Sequence, residues 1–131
     1  MRVEGWERQL TEYLVAAAQR TPEWGAHDCA LWAAGWVKVC TGRDHVTDWV
    51  GTYSTETGAA RAMRRRGYQS VADIATAHLE EKPVMLAQRG DLVLHPLTDS
   101  LGICNGRVSQ FVGGTGAIVI DTLACTRAWA V

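Results

Sequence analysis

The sequence predicts an α+β fold in which N-terminal helices pack on one face of a C-terminal antiparallel β-sheet. Two observations support this prediction. Apolar residues recur at helical spacing in the first part of the chain, whereas short apolar runs separated by turn residues follow Arg89. The chain has 131 residues, a length typical of one domain, so we expect a single domain over residues 1–131.

The first predicted element is an amphipathic helix within residues 1–20. One face of this helix is apolar and consists of Trp6, Leu10, Tyr13, Leu14 and Ala17. Pro22 follows and disfavours helical backbone at Thr21, so the helix must end before this point.

A second, central helix is predicted over residues 28–41. Asp28 can cap its N-terminus, which places Cys29 in the first turn. Lys38 is the only charged residue between Ala30 and Cys40, and a helix that is apolar nearly all round is typically buried. Gly42 is a suitable residue to end it.

Two short helices are predicted next, over residues 56–66 and 71–79, with a loop over residues 43–55 before them. The β-sheet is predicted within residues 90–131, with strands near residues 91–95, 101–104, 107–112, 117–121 and 127–131. Asn105-Gly106 between two apolar runs predicts a β-hairpin.

Charge and composition exclude several classes of function. The formal net charge is −1, which does not favour nucleic-acid binding, and no apolar run approaches the about 18 residues that a membrane span requires. We interpret the arginine cluster at residues 61–66 as a solvated helix end. The four cysteines form no C-x-x-C pair, so no metal or other cofactor is predicted. Because no export signal is visible, a disulfide framework is not expected and the thiols should be reduced.

Cys29 is a candidate catalytic nucleophile, because it is predicted at the start of the central helix. The N-terminus of a helix stabilises a thiolate, and a cysteine there that faces a sheet bearing a histidine is a common arrangement in cysteine hydrolases. The alternative is that Cys29 is a small buried apolar residue. A metal site formed by His27, Cys29, Cys104 and Cys125 is conceivable, but their spacing does not require one.

Three segments resemble the papain-like NlpC/P60 hydrolases: His27–Trp32 (HDCALW), Arg89–Leu94 (RGDLVL) and Leu101–Gly106 (LGICNG). More closely, the chain resembles a phage and prophage relative of that family, of unknown function and found among tail genes. The features that carry this second resemblance are Trp24-Gly25, Thr41–Asp44, Gly51–Tyr53, Gly58–Arg61 and Arg127–Trp129.

The resemblance implies a role for each matching position. Cys29 takes the position of the nucleophile, whereas Ser100 stands where the general-base histidine is expected, and a serine cannot act as the base near neutral pH. Gln110 takes the position of the orienting polar residue. His95 is the histidine best placed to substitute as the base, while His27 is expected to be a loop residue, and His45 and His78 ordinary surface residues.

Two functions follow from the resemblance. The first is a component of a bacteriophage or prophage tail, in the virion at the tail tip or in its assembly. Its catalytic site is degenerate, and it acts through contacts with other tail proteins. Trp24, Trp49, Tyr53 and Trp129 are candidate contact residues for it, or else core residues. The alternative is an active cysteine peptidase or amidase that contacts peptidoglycan and cleaves its peptides during DNA entry, with Cys29 as nucleophile. The missing histidine favours the first.

Overall fold

The computed structural model describes all residues 1–131 and contains four α-helices followed by a six-stranded sheet, which confirms the α+β prediction. The helices are α1 (Trp6–Ala18), α2 (Cys29–Thr41), α3 (Glu56–Arg65) and α4 (Val71–His78). The strands are β1 (Glu81–Lys82), β2 (Leu92–Leu94), β3 (Leu101–Cys104), β4 (Val108–Gly113), β5 (Gly116–Asp121) and β6 (Arg127–Trp129). None of the four helices combines the length and apolar character that crossing a membrane requires.

Short side chains cap the three later helices at the residues where they begin. The Asp28 carboxylate accepts a hydrogen bond from the backbone N–H of Leu31, which starts α2 at Cys29. Thr55 and Ser70 cap α3 and α4 in the same way. Gly42 ends α2 in a left-handed conformation, with a φ of 79°, as its position in the sequence predicts.

The strands form one antiparallel sheet in the order β1-β6-β2-β3-β4-β5. The predicted hairpin at Asn105-Gly106 joins β3 to β4. Strand β1 lies outside the predicted sheet region, because residues 90–131 do not include Glu81 and Lys82. These two charged residues carry no apolar alternation, and they become a strand only by pairing with Trp129 and Ala128 of β6.

The larger core lies between the helices and one face of the sheet. Helices α1, α2 and α4 contribute to it, together with Leu92, Leu101, Ile103 and Trp129 from the strands. Trp36 is fully buried and donates a hydrogen bond from Nε1 to the carbonyl of Gly90 at 2.8 Å. Trp129 is likewise fully buried, so its place in the structure is the core and not the surface.

A smaller apolar cluster covers the opposite face of the sheet. It consists of Val93, Cys104, Phe111, Cys125 and Ala128. The sheet therefore separates the side chains that meet the helices from those that meet this cluster, and this separation decides which residues can approach Cys29.

A buried carboxylate joins distant parts of the fold. Asp91 is 1% exposed and forms ion pairs with Arg2 at 2.9 Å and Lys82 at 2.7 Å. It also accepts hydrogen bonds from the backbone N–H groups of Gln88 and Val131. The aspartate thus connects the two ends of the chain to β1 and to the turn before β2.

Candidate functional site

Cys29 is the first residue of α2, and it faces the segment that enters β3. The Asp28 side chain before it is buried and accepts three hydrogen bonds, from the backbone N–H groups of Gly25 and Leu31 and from the hydroxyl of Tyr53. These contacts fix the loop on which Cys29 is carried. Cys29 itself is only partly buried.

The environment of Cys29 does not favour a thiolate. Burial raises the pKa of the thiol to about 11, and the charges of Asp28 and Asp99 act in the same direction. The backbone N–H of Leu101 and the hydroxyl of Ser100 oppose this rise without cancelling it. At neutral pH the group is therefore a thiol, and it lacks the lowered pKa that marks reactive cysteines.

Ser100 lies beside Cys29, and no histidine is among the groups that shift the pKa of the thiol. The structure thus brings together Cys29, which takes the position of the nucleophile, and Ser100, which stands where the general-base histidine is expected. A serine hydroxyl can donate or accept a hydrogen bond, but it cannot hold a proton from the thiol near pH 7.

His95 does not approach Cys29. Its ring packs edge-on against Phe111, with ring centroids 5.2 Å apart, and Phe111 belongs to the cluster on the sheet face away from the helices. Its Nδ1 accepts a hydrogen bond from the backbone N–H of Leu97. The expectation that His95 replaces the missing base does not fit this placement, because the sheet lies between the imidazole and α2.

Gln110 is engaged with a helix. Its side-chain amide donates a hydrogen bond to the carbonyl of Leu14 in α1 at 2.9 Å, and its backbone pairs with Ile103. Gln110, which takes the position of the residue that would orient the base, therefore holds α1 against the sheet.

Of the remaining histidines, His27 lies in a loop and His78 is exposed, as the sequence indicates, whereas His45 differs from the prediction. His45 is half-buried and stacks on His78 with ring centroids 4.3 Å apart, so it is not an ordinary surface residue, whereas His78 is exposed. His27 is buried in the loop before α2. Burial is the largest cause that lowers the pKa of both His27 and His45, and the Nε2 atom of each is buried without a hydrogen-bond partner.

The cysteines do not converge on a common point. Cys104 and Cys125 lie in the cluster on the far face of the sheet, whereas Cys29 lies on the helix side. No group of three or more His, Cys, Asp or Glu side chains is placed to hold a metal ion. The set His27, Cys29, Cys104 and Cys125 is therefore not a site.

A cavity of about 520 Å³ opens beside Cys29, and we call it the Cys29 cleft. Its walls are formed by α2, α3, the start of α4, the loop that contains Trp49 and Tyr53, and residues 98–100. Most of its lining is apolar, including Leu31, Met63 and Ile74. Trp24 also lines the cleft and is 43% exposed, so part of this apolar surface is open to solvent.

The charged residues of the Cys29 cleft all have one sign. Asp28, Glu56 and Asp99 line it, and no lysine or arginine does. None of the three forms a salt bridge within the chain. The sequence did not indicate Glu56 or Asp99, because each lies in a polar stretch without a motif and only the fold brings them to the same cavity.

A close backbone approach shapes one wall of the cleft. Gly25 has a φ of 83°, and a Cβ atom there would lie 1.8 Å from the carbonyl oxygen of Tyr53. Its own carbonyl accepts a hydrogen bond from the backbone N–H of Gly51. Backbone contacts therefore join the Trp24-Gly25 motif to the Gly51–Tyr53 motif, although the two are far apart in sequence. These contacts place Tyr53 where its hydroxyl bonds to Asp28.

A family model described as "Domain of unknown function (DUF6950)" matches residues 1–131. The chain belongs to the DUF6950 family. No curated protein and no solved structure shows significant similarity to it.

Proposed function

We propose that this DUF6950 chain is a catalytically inactive, papain-like module of the NlpC/P60 type that acts by binding other proteins as a component of a bacteriophage or prophage tail, at the tail tip or in its assembly. The observation that carries the inactive state is the pair of Cys29 and Ser100, a protonated thiol beside a hydroxyl with no base. The phage tail role rests on the motif series that extends from Trp24 to Val131.

The cleft supports a binding role. Loss of a base removes hydrolysis but leaves the cavity that would have received the substrate, here about 520 Å³ with a mostly apolar lining. Concave apolar sites with a few polar groups are typical binding sites. A non-catalytic module that keeps such a cavity can use it to hold a partner.

One experiment tests the inactive state. Purified protein is incubated with peptidoglycan stem peptides, and products are followed by mass spectrometry, while iodoacetamide labelling of Cys29 is measured from pH 5 to 9. We expect no cleavage and slow labelling across this range, because the thiol pKa is about 11. Cleavage that is lost in Cys29→Ala would contradict the proposal.

A second experiment tests the location. Virions of a phage that encodes the chain are purified, and their proteins are quantified by mass spectrometry together with assembly intermediates from a lysate. We expect the chain to co-purify with tail proteins in virions or in tail intermediates. Its absence from both would contradict a tail role without bearing on catalysis.

The alternative function is a cysteine peptidase or amidase that cleaves peptidoglycan peptides. One feature favours it, since Cys29 lines an open cavity at a helix N-terminus, where a carbonyl carbon could approach the sulfur. It would require a base from a neighbouring subunit, and the cleavage assay above distinguishes it from the inactive module.

A further inference from the structure

We propose that the Cys29 cleft binds an extended segment of a partner protein that places an apolar side chain in the cavity and a lysine or arginine near the carboxylates that line it. The inference rests on the proposed function, because it names the chemistry of the partner that this site receives. Two features of the cleft carry it, its apolar volume and the single sign of its charges.

The apolar volume favours a peptide segment over a single small group. The cavity measures about 520 Å³, which lies within the range of sites that enclose a ligand of drug size and is therefore larger than one small group needs. Leu31, Met63 and Ile74 offer apolar contacts within it, and the partly exposed Trp24 extends this surface outward. A bound segment would remove this apolar surface from water, which is the main source of affinity at such sites.

The negative charge of the cleft favours a positively charged group on the partner. Glu56 is exposed and accepts no hydrogen bond, and Asp99 uses one oxygen to accept a hydrogen bond from the backbone N–H of Val71. Asp28 is already satisfied by three donors, so Glu56 and Asp99 have the greater remaining capacity to bind a cation. A basic side chain that enters the cleft and reaches either carboxylate would form charge-assisted hydrogen bonds, and no lysine or arginine of this chain does so.

The same charges disfavour other partners. A nucleic acid or an acidic peptide would bring negative charge to a cleft that has no lysine or arginine to receive it. Electrostatic complementarity therefore favours a basic segment. The apolar lining also requires that the segment carry an apolar side chain.

A peptide library displayed on beads tests this inference with the full chain in three forms. The first is the native protein. The second is Glu56→Gln/Asp99→Asn, which removes two charges and retains the shape of the cleft. The third is Ala60→Trp, which fills the cavity from α3. Circular dichroism melting confirms that each form is folded.

Glu4→Gln/Glu7→Gln serves as the matched control, because it makes the same change of net charge at exposed positions outside the cleft. We expect the native protein to select peptides that combine lysine or arginine with a large apolar residue. Two exposed ion pairs contribute roughly a tenfold difference in affinity, so the charge variant should bind the selected peptides about tenfold more weakly. Ala60→Trp should lose binding, and the control should retain it.

Several results would overturn the inference: selection of acidic or uncharged peptides, no selection at all, or unchanged affinity in the charge and cavity variants. These results leave the proposed function untouched, since its tests are catalysis and location. Conversely, a chain that binds basic apolar peptides in the cleft but cleaves them, or is absent from tails, supports the inference and contradicts the proposed function.

Discussion

Ser100 is the residue that lies beside the Cys29 thiol, although burial is the main cause of the raised thiol pKa. Its hydroxyl lies beside the thiol and lowers the thiol pKa too little to offset burial and the charges of Asp28 and Asp99. A histidine in the same place would behave differently, because an imidazole can accept the thiol proton and its cation stabilises a thiolate.

We therefore expect Ser100→His to lower the pKa of the Cys29 thiol and to increase its iodoacetamide labelling rate at pH 7 by at least about tenfold. The measurement is labelling rate against pH, with the site located by mass spectrometry. Ser100→Asn is the control, since it is polar but does not titrate. Equal rates in the two variants would mean that residue 100 does not control the thiol.

Part of the site could be predicted from single residues, and part could not. Cys29 and Ser100 lie in or directly before segments that resemble the NlpC/P60 hydrolases, and that resemblance implies that the two positions meet. The half-buried state of His45 depends on its stacking with His78, 33 positions later, and no local pattern reports such a contact. Glu56 and Asp99 were missed for the same reason, because they share a cavity only after α3 and the β2–β3 loop have packed.

The bounds of helix α2, which carries Cys29, could be predicted from the sequence, whereas strand β1 could not. Its N-cap at Asp28 and its terminal Gly42 were predicted because both depend on local backbone chemistry. Strand β1 was missed because it has no intrinsic strand signal and depends on β6 for its hydrogen bonds.

Close packing of α1 on α2 leads to a prediction about Gly35. A Cβ atom at this position would lie 2.5 Å from the hydroxyl of Tyr13, which donates a hydrogen bond to the carbonyl of Trp32. Gly35→Ala should lower the free energy of unfolding by about 1 kcal/mol, since steric strain exceeds the gain in helix propensity.

The double variant Tyr13→Phe/Gly35→Ala separates these two effects. In the Tyr13→Phe background the hydroxyl is gone, so the same glycine replacement should become neutral or stabilising by up to about 1 kcal/mol. Urea unfolding of the four proteins measures the coupling. Additive changes would show that the hydroxyl does not limit the approach of the helices.

The two loops that flank α2 predict an acid-sensitive structure. His27 precedes the helix and His45 follows it, and burial lowers the pKa of each below the ordinary value of 6.5. Both histidines therefore bind protons more strongly in the unfolded chain than in the folded one. The free energy of unfolding has its full value above about pH 6.5, where both histidines are neutral in either state, and it decreases as pH falls below 6.5. We expect His27→Gln/His45→Gln to show a smaller decrease in the free energy of unfolding between pH 7 and 5. An equal decrease in both proteins would contradict this assignment.

At the scale of the whole molecule, Asp91 connects segments that are far apart in sequence. Asp91→Asn would leave Arg2 and Lys82 without a countercharge in a largely buried place. We expect a loss of about 3 kcal/mol in the free energy of unfolding, measured by urea denaturation. Glu12→Gln is the control, because its ion pair with Arg8 is exposed and should contribute less than about 0.5 kcal/mol. Equal losses would show that the Asp91 network is no stronger than a surface pair.

The Asp91 network also has a consequence for the order in which the chain folds. Its carboxylate bonds to Arg2 across 89 positions and to Val131 across 40. Such distant groups meet only after the intervening chain is largely ordered, because loop closure costs entropy that grows with loop length. In stopped-flow measurements, Asp91→Asn should therefore accelerate unfolding and leave the folding rate nearly unchanged. The carboxylate would then govern how long the native state persists, and not how quickly it forms.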